Sequence, residues 1–435
     1  MDSSKPNDQV FTEHLVAVNT NNKVISTEDI VNDNGVLIVK KGAAIDQKVA
    51  SQVAKHKLKK SISKSIAVEN LLDEKAIYSA IHSFLKSHSD LEQIHINSEL
   101  KKLLQLSCLY AKSFTMLMQQ LTVMENNLPD LFKKSIVGAW FALAISKQLG
   151  FDSLQCKQIF LASLVRDIGM MHMHLPKEGL TADWKLIQSH VAVGKLVVDD
   201  MKELPTLIKK AISEHHERTD GAGYPKAKNA GNLGHSGQVI AMSDAIQAIY
   251  LKNSNEREFN VLDLQGFLTL NMSTYGEDIY QSVVRLIRIS QCEPISRLSK
   301  TDFAAFNKKL INKSKNYMSI CADLKVISSL IDENSKQNEV IILKSFVERI
   351  LQMQARTGIP SDEYERWMQC VQDEQIEEAY AEIEMIGMMF EELTWQISQI
   401  KNYLTAFWQL PSSDDSQRAM VEPILVRLNK ALNNS

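Results

Sequence analysis

The densest run of chemically capable residues lies between His215 and Pro225, with the sequence HHERTDGAGYP. Adjacent histidines can ligate a metal or carry a proton near neutral pH. Gly221, Gly223 and Pro225 impose an irregular backbone directly after them, the kind of turn that brings main-chain amides to an anion. The same residues also suit a helix end whose histidines sit at the surface above a glycine cap. Taken alone, the segment leaves both readings open. Further candidates of matching type are Asp167, His190 and Asp244, each on or beside an expected helix, and together with His215 and His216 they are the residue types of a dinuclear metal site.

Apolar periodicity supplies the elements that must position these groups. Helices are expected over about 131–150, with Ile136, Trp140, Leu143, Ala144 and Ile145 facing a core, and over about 154–165, ending in RDIG. A loop, MMHMHLP, follows; its His172 and His174 read as solvated. Helices over about 183–201, 205–216 and 239–251 carry His190, the histidine pair and Asp244. Upstream, residues 1–10 read as a disordered lead. Short β-type runs surround the turn at Asn32 to Gly35, and a helix opens at Asp46. The organisation is a small α/β module over 1–70, a helical connector over 71–127, a helical body over 128–295 and a helical region over 296–435. The fold class is mainly α.

Downstream, apolar residues from Ile376 to Phe407 alternate steps of three and four, an a/d pattern within 369–407. A continuous helix from Asp362 to Leu410, stopped by Pro411, would be ~70 Å long. Its seam serves either a homodimer or an intramolecular bundle with the helices of residues 300–357. The chain has 435 residues and a formal net charge of −3, which argues against a nucleic-acid polymer as partner. No apolar run reaches membrane-spanning length, the N-terminus has no signal-peptide core, and five scattered cysteines read as reduced thiols, together pointing to the cytoplasm.

Over residues 128–290 the sequence resembles the HD-GYP family, metal-dependent phosphodiesterases of the bacterial second messenger cyclic di-GMP. The match is carried by HHERTDGAGYP, with Ala222 where serine is common, by LASLVRDIGM around Arg166, by SHVAVG (Ser189–Gly194) and by VIAMSDAIQAI (Val239–Ile249). The resemblance implies an HD-type helical domain over 128–295 whose metals are held at Asp130, Asp167, His190, His215, His216 and Asp244. It also puts Lys134 and Arg166 at two positions where the family has ligand histidines. Neither cation offers a lone pair, and both place positive charge where a metal would sit. Lys134 and Arg166 are therefore expected to replace metal by salt bridges to Asp167 and Asp244.

Two outcomes follow for cofactors. Asp167, His190, His215 and His216 hold one divalent metal, iron or manganese, or the two cations collapse the site and it stays empty, which is the preferred reading. With no residue confidently catalytic (Asp167 in an active site), the chain reads as a pseudo-enzyme of cyclic di-GMP signalling. Arg218, Asp220, Gly221, Gly223, Tyr224 and Pro225 are the expected contacts for nucleotide or for protein partners such as diguanylate cyclases. An active phosphodiesterase with a reduced metal site is the alternative. Arg257 is a loose substitute for the family's substrate-binding arginine.

Overall fold

The structure, a computed structural model, describes residues 6–174, 184–256, 258–294, 296–331, 338–408 and 415–433. The chain is mainly α, as its periodicity predicts, and divides into two compact units. The first comprises Met1–His216 and Gly234–Leu251; the second comprises Glu217–Leu233 and Lys252–Ser435. The division falls inside the 215–225 motif, between His216 and Glu217.

Of the expected disordered lead, residues 1–5 lie outside the described residues, and from Asp8 the chain is helical rather than disordered, α1 spanning Asp8–Asn19. Asn7 starts it, its side-chain oxygen accepting from the backbone N–H groups of Gln9 and Val10, and Val10, Phe11, Leu15 and Val18 are buried. β1 (Val24–Ser26) pairs antiparallel with β4 (Ile66–Val68), and β2 (Ile30–Val31) with β3 (Leu37–Val39). β1 and β3 fall in the two expected β-type runs, while β2 and β4, which pair with them, were not expected. Between β2 and β3, Gly35 adopts φ +79° while Asn32 Oδ1 accepts from the amides of Asn34 and Val36. α2 (Gln47–Val53) starts at Asp46, whose carboxylate accepts from Val49 N–H at 2.9 Å.

Four connector helices follow: α3 (Glu74–Lys86), α4 (Ser89–Asn97), α5 (Lys101–Lys112) and α6 (Thr115–Asn127). The centre of the unit is α7 (Pro129–Gln148), where every residue from Ser135 to Ser146 is buried. A helix that is apolar all round must be enclosed by others. α8 (Ser153–Leu164), started by a capping box between Asp152 and Gln155, packs along it. Then come a 3₁₀ turn over Ile168–His172, α9 (Trp184–Asp199), α10 (Thr206–Glu214) and α11 (His235–Glu256).

His172 departs from its expected solvated position, while His174 is exposed as predicted. The His172 ring is fully buried, stacked on Phe11 at 4.4 Å, with Nε2 3.1 Å from Gln120 Oε1. Its carbonyl accepts from Asn7 N–H at 2.9 Å, so it ties α1 to the 3₁₀ turn. Burial pushes its pKa down to about 3. Because the folded value lies below the unfolded one, this stabilisation is complete above about pH 6.5. Below that it is lost by about 1.4 kcal/mol per pH unit. Urea unfolding at pH 7 and pH 5 should therefore show a steeper loss for the natural protein than for His172→Gln. Equal losses would exclude His172 as a source of acid sensitivity.

Unit two contains α12 (Gln265–Leu270), α13 (Glu277–Ser290), α14 (Lys300–Leu330), α15 (Asn338–Thr357), α16 (Asp362–Asp373), α17 (Tyr380–Trp408) and α18 (Asp415–Asn433). The single long helix predicted from Asp362 to Leu410 is two helices. The chain breaks after Asp373, where Gln375 takes φ +53° and Glu377–Ala379 form a 3₁₀ turn. Pro411 lies outside the described residues. Ile383, Ile386, Phe390, Leu393, Ile397, Ile400 and Leu404 are each no more than 2% exposed, with α12, α14, α15 and α18 packed around α17. From Ile383 to Leu404 that seam is spent within the bundle, so this part of the proposed dimer face over 369–407 is covered by the chain itself. Among the described residues, no helix is long and apolar enough to cross a membrane.

Candidate metal centre

Close backbone approach brings the ligands of unit one together. Asp167 stands just beyond α8, at the head of the 3₁₀ turn. Two residues on, Gly169 lies against α9: a Cβ there would be 2.1 Å from the carbonyl oxygen of His190 and 2.6 Å from the amide nitrogen of Gly194. Only glycine permits that approach. His190 comes from the middle of α9, and His215 follows α10 directly.

Both buried histidines donate backward along their own helices, His190 Nδ1 to the Ile187 carbonyl and His215 Nδ1 to the Ile212 carbonyl, each at 2.6 Å. These bonds turn the two Nε2 atoms toward each other at 3.2 Å. Asp167 Oδ1 lies 3.3 Å from His190 Nε2 and 3.7 Å from His215 Nε2. Two imidazoles that both donate through Nδ1 present two lone pairs to one space, which demands a shared cation, proton or metal. His216 is the fourth member. One ligand atom from each of Asp167, His190, His215 and His216 lies within 4.8 Å of the others. Three imidazole nitrogens and a carboxylate oxygen suit a first-row divalent ion. Burial alone would raise the Asp167 carboxyl, but the Arg166 guanidinium, with His190 and His215 beside it, holds it well below the usual carboxylate range. The carboxylate is thus ionised and ready to ligate.

Arg166 occupies the adjoining space and is fully buried. Its Nε is 3.2 Å from Asp167 Oδ2 and 3.0 Å from Asp244 Oδ1, and its Nη2 is 2.8 Å from Asp244 Oδ1. Nη1 donates to the Ser163 carbonyl at 2.9 Å and Nη2 to Gln247 Oε1 at 2.8 Å. Gly138 of α7 makes the room, since a Cβ there would be 2.6 Å from Nη1. Asp244 is thereby drawn out of the four-ligand group; its other oxygen is 3.9 Å from His216 Nδ1. The salt bridges expected of Arg166 to Asp167 and Asp244 are present.

Lys134 does not share in it. The residue is exposed on α7, and only its backbone carbonyl faces Arg166, 3.5 Å from Nη2. Asp130 is exposed in the first turn of the same helix and is outside the four-ligand group. Of the six predicted ligands, four cluster, Asp244 pairs with Arg166 and Asp130 stands apart.

The loop residues belong to unit two, where Gly221 and Gly223 are buried, Arg218, Asp220 and Tyr224 half-buried and Pro225 exposed. Arg218 lies over the Tyr275 ring, 5.0 Å from its centroid. Glu217 accepts the amides of Lys226 and Lys228 through its two carboxylate oxygens at 2.8 and 2.9 Å. Arg257 lies outside the described residues.

Gly138, Gln247 and Glu214 were not legible as site residues. Glu214 is 1% exposed, and its Oε2 accepts from Gly234 N–H at 2.9 Å, immediately before α11. A Cβ at Gly237 would be 2.8 Å from the Glu214 Cβ. Glu214 therefore ties the end of α10, which bears the histidine pair, to the start of α11, which bears Asp244. Glu214→Ala should weaken Mn²⁺ binding about tenfold, a second-sphere effect, while Glu214→Gln keeps an oxygen acceptor and retains most of the affinity. Equal affinities for all three proteins in a calorimetric titration would remove this role.

The sequence matches the family described as HD domain over residues 96–260. Among curated proteins it is 28% identical over 110 residues to 3'3'-cGAMP-specific phosphodiesterase 1 of Vibrio cholerae, covering 24% of this chain and 25% of that protein. It is 22% identical over 172 residues to the cyclic di-GMP phosphodiesterase PA4108 of Pseudomonas aeruginosa, covering 38% and 42%. A cyclic di-GMP phosphodiesterase of Thermotoga maritima is 24% identical over 157 residues, covering 34% and 42%. Residues 96–260 thus carry an HD domain, and this part of the chain is similar to cyclic-dinucleotide phosphodiesterases. The chain's aligned part spans about a quarter of the length of the Vibrio relative. The four candidate ligands around Asp167 lie together, and Arg166 occupies the adjoining space.

Proposed function

We propose that the protein is a degenerate HD-GYP protein of bacterial cyclic di-GMP signalling, cytoplasmic, that binds one divalent ion, iron or manganese, and is catalytically silent. It acts as a nucleotide-responsive or protein-interaction scaffold. The observation that carries this reading is the Arg166 guanidinium buried between Asp167 and Asp244, where it pairs with both carboxylates. Asp167, His190, His215 and His216 would hold the ion, which would supply positive charge to a phosphate group. Arg166 adds a fixed charge beside it but no exchangeable position for water. Cyclic di-GMP is the proposed ligand, and signalling proteins such as diguanylate cyclases are the proposed partners. In this reading residues 128–295 form the signalling domain, between the α/β module and connector before it and the helical region after it.

One observation favours the alternative of an active phosphodiesterase with a reduced site: both Nδ1 hydrogen bonds that orient metal-ligating histidines are in place. Metal analysis of protein purified without chelator, with turnover assays on cyclic di-GMP and 3'3'-cGAMP in added Mn²⁺ or Fe²⁺, separates the two. The scaffold reading expects one equivalent of metal and no hydrolysis. Two equivalents, or metal-dependent hydrolysis of either nucleotide, would overturn it.

A further inference from the structure

The loop that follows the histidine pair has an occupant within its own unit. Asp220 uses both carboxylate oxygens: Oδ1 accepts from Ala222 N–H at 3.0 Å, and Oδ2 accepts from Arg349 Nε of α15 at 2.7 Å. Arg349 is 5% exposed, and its guanidinium also lies over the Phe346 ring, 4.7 Å from the centroid. Gly221, at φ +79°, faces the same helix: a Cβ there would be 3.5 Å from Ser345 Oγ and 3.9 Å from Ile341 Cγ2. Ile341, Ser345 and Arg349 are four residues apart and so form one face of α15. On its other flank, Thr219 N–H donates to the Thr274 carbonyl at 3.0 Å and Thr219 Oγ1 to the Ser273 carbonyl at 2.8 Å. That segment is held in turn by α17, since Asn271 Nδ2 donates to Glu392 Oε1 at 2.9 Å and Gln396 Nε2 to Asn271 Oδ1 at 3.2 Å.

We propose that Arg349 latches this loop onto α15, so that the C-terminal bundle is the resident partner of the GYP loop and another protein reaches Asp220 and Gly221 only when the latch opens. A sequence reading offers this loop as a free surface. The structure instead gives it an arginine on a helical face shaped to Gly221, which is the recognition chemistry an outside partner would need. The bundle thereby governs the segment that continues directly from His216 in the chain. The inference goes beyond the metal and nucleotide reading and does not rest on it.

The test is hydrogen exchange followed by mass spectrometry on the full chain without metal or nucleotide, comparing the natural protein with Asp220→Asn, Arg349→Gln and the double variant. Each single variant is expected to raise exchange across residues 217–228 at least tenfold, and the double variant to add nothing further. Trypsin should also cut after Lys226 and Lys228 correspondingly faster. Unchanged exchange in both single variants, or effects that multiply in the double variant, would overturn the latch. Should Arg349→Gln unfold the whole bundle, Asp220→Asn decides alone. It keeps an oxygen for Ala222 N–H, and natural protection of the loop in that variant would make Arg349 a bundle residue only. Failure here leaves the metal stoichiometry expected above untouched.

Discussion

Arg166→Ala is expected to destabilise unit one by about 3–5 kcal/mol, the usual cost of removing one partner from a buried ion pair. The loss comes from what remains. Asp167 and Asp244, with side chains only 8% and 20% exposed, would face each other without the cation that pairs with both. The Ser163 carbonyl and Gln247 Oε1 would lose their donors as well. Divalent metal should repair part of the damage, because the emptied space is lined by carboxylates and adjoins three histidines. Thermal unfolding with and without Mn²⁺ checks both halves. The variant should melt well below the natural protein in chelator and recover with metal more than the natural protein does. A variant that melts like the natural protein and ignores Mn²⁺ would refute the idea that Arg166 stands in for a cation. Arg166→Lys should fall between, since a single ammonium keeps the charge but not the guanidinium's fan of donors. Because Lys134 is exposed, restoring histidine at Arg166 matters more than restoring it at Lys134.

The second large effect is expected at Gly169→Ala. A methyl group 2.1 Å from the His190 carbonyl oxygen meets backbone, so no side chain can rotate out of its way. The 3₁₀ turn and α9 must part, which costs about 3 kcal/mol by the upper range for overpacked sites. His190 moves with α9, and Asp167 with the turn, so the four ligands no longer converge. Mn²⁺ binding by calorimetry should fall at least a hundredfold, whereas Gly231→Ala, whose Cβ would meet nothing closer than 3.9 Å, should leave it unchanged. Natural affinity in Gly169→Ala would show that the turn and α9 can separate without moving the ligands.

These expectations mark where sequence ends and tertiary structure begins. Ligand identity was legible because coordination chemistry admits few residue types: Asp167, His190, His215 and His216 stood out by kind and spacing, and they converge. Helices α7 to α11 were legible from their periodicity, and α2 from its Asp46 start. α1 was not, because a polar lead conceals a helix whose signal is the Asn7 cap. Periodicity also shows that a stripe will be covered without showing by what. The seam of α17 is covered by neighbouring helices, and the left-handed turn at Gln375 ends the pattern that suggested one long helix. On α7, apolar residues all round hide which polar positions point outward, so Lys134 looked equivalent to Arg166 although one is exposed and the other enclosed. Gly138 and Gly169 carry no side chain to announce a role; only the neighbours brought against them, a guanidinium and a carbonyl, give them one. The sequence by itself determined which atoms could hold a cation and which side-chain cations could pair with the carboxylates. Tertiary structure decided that Arg166 pairs with them and Lys134 does not, because burial and direction depend on what packs against a helix, and a linear pattern does not contain that.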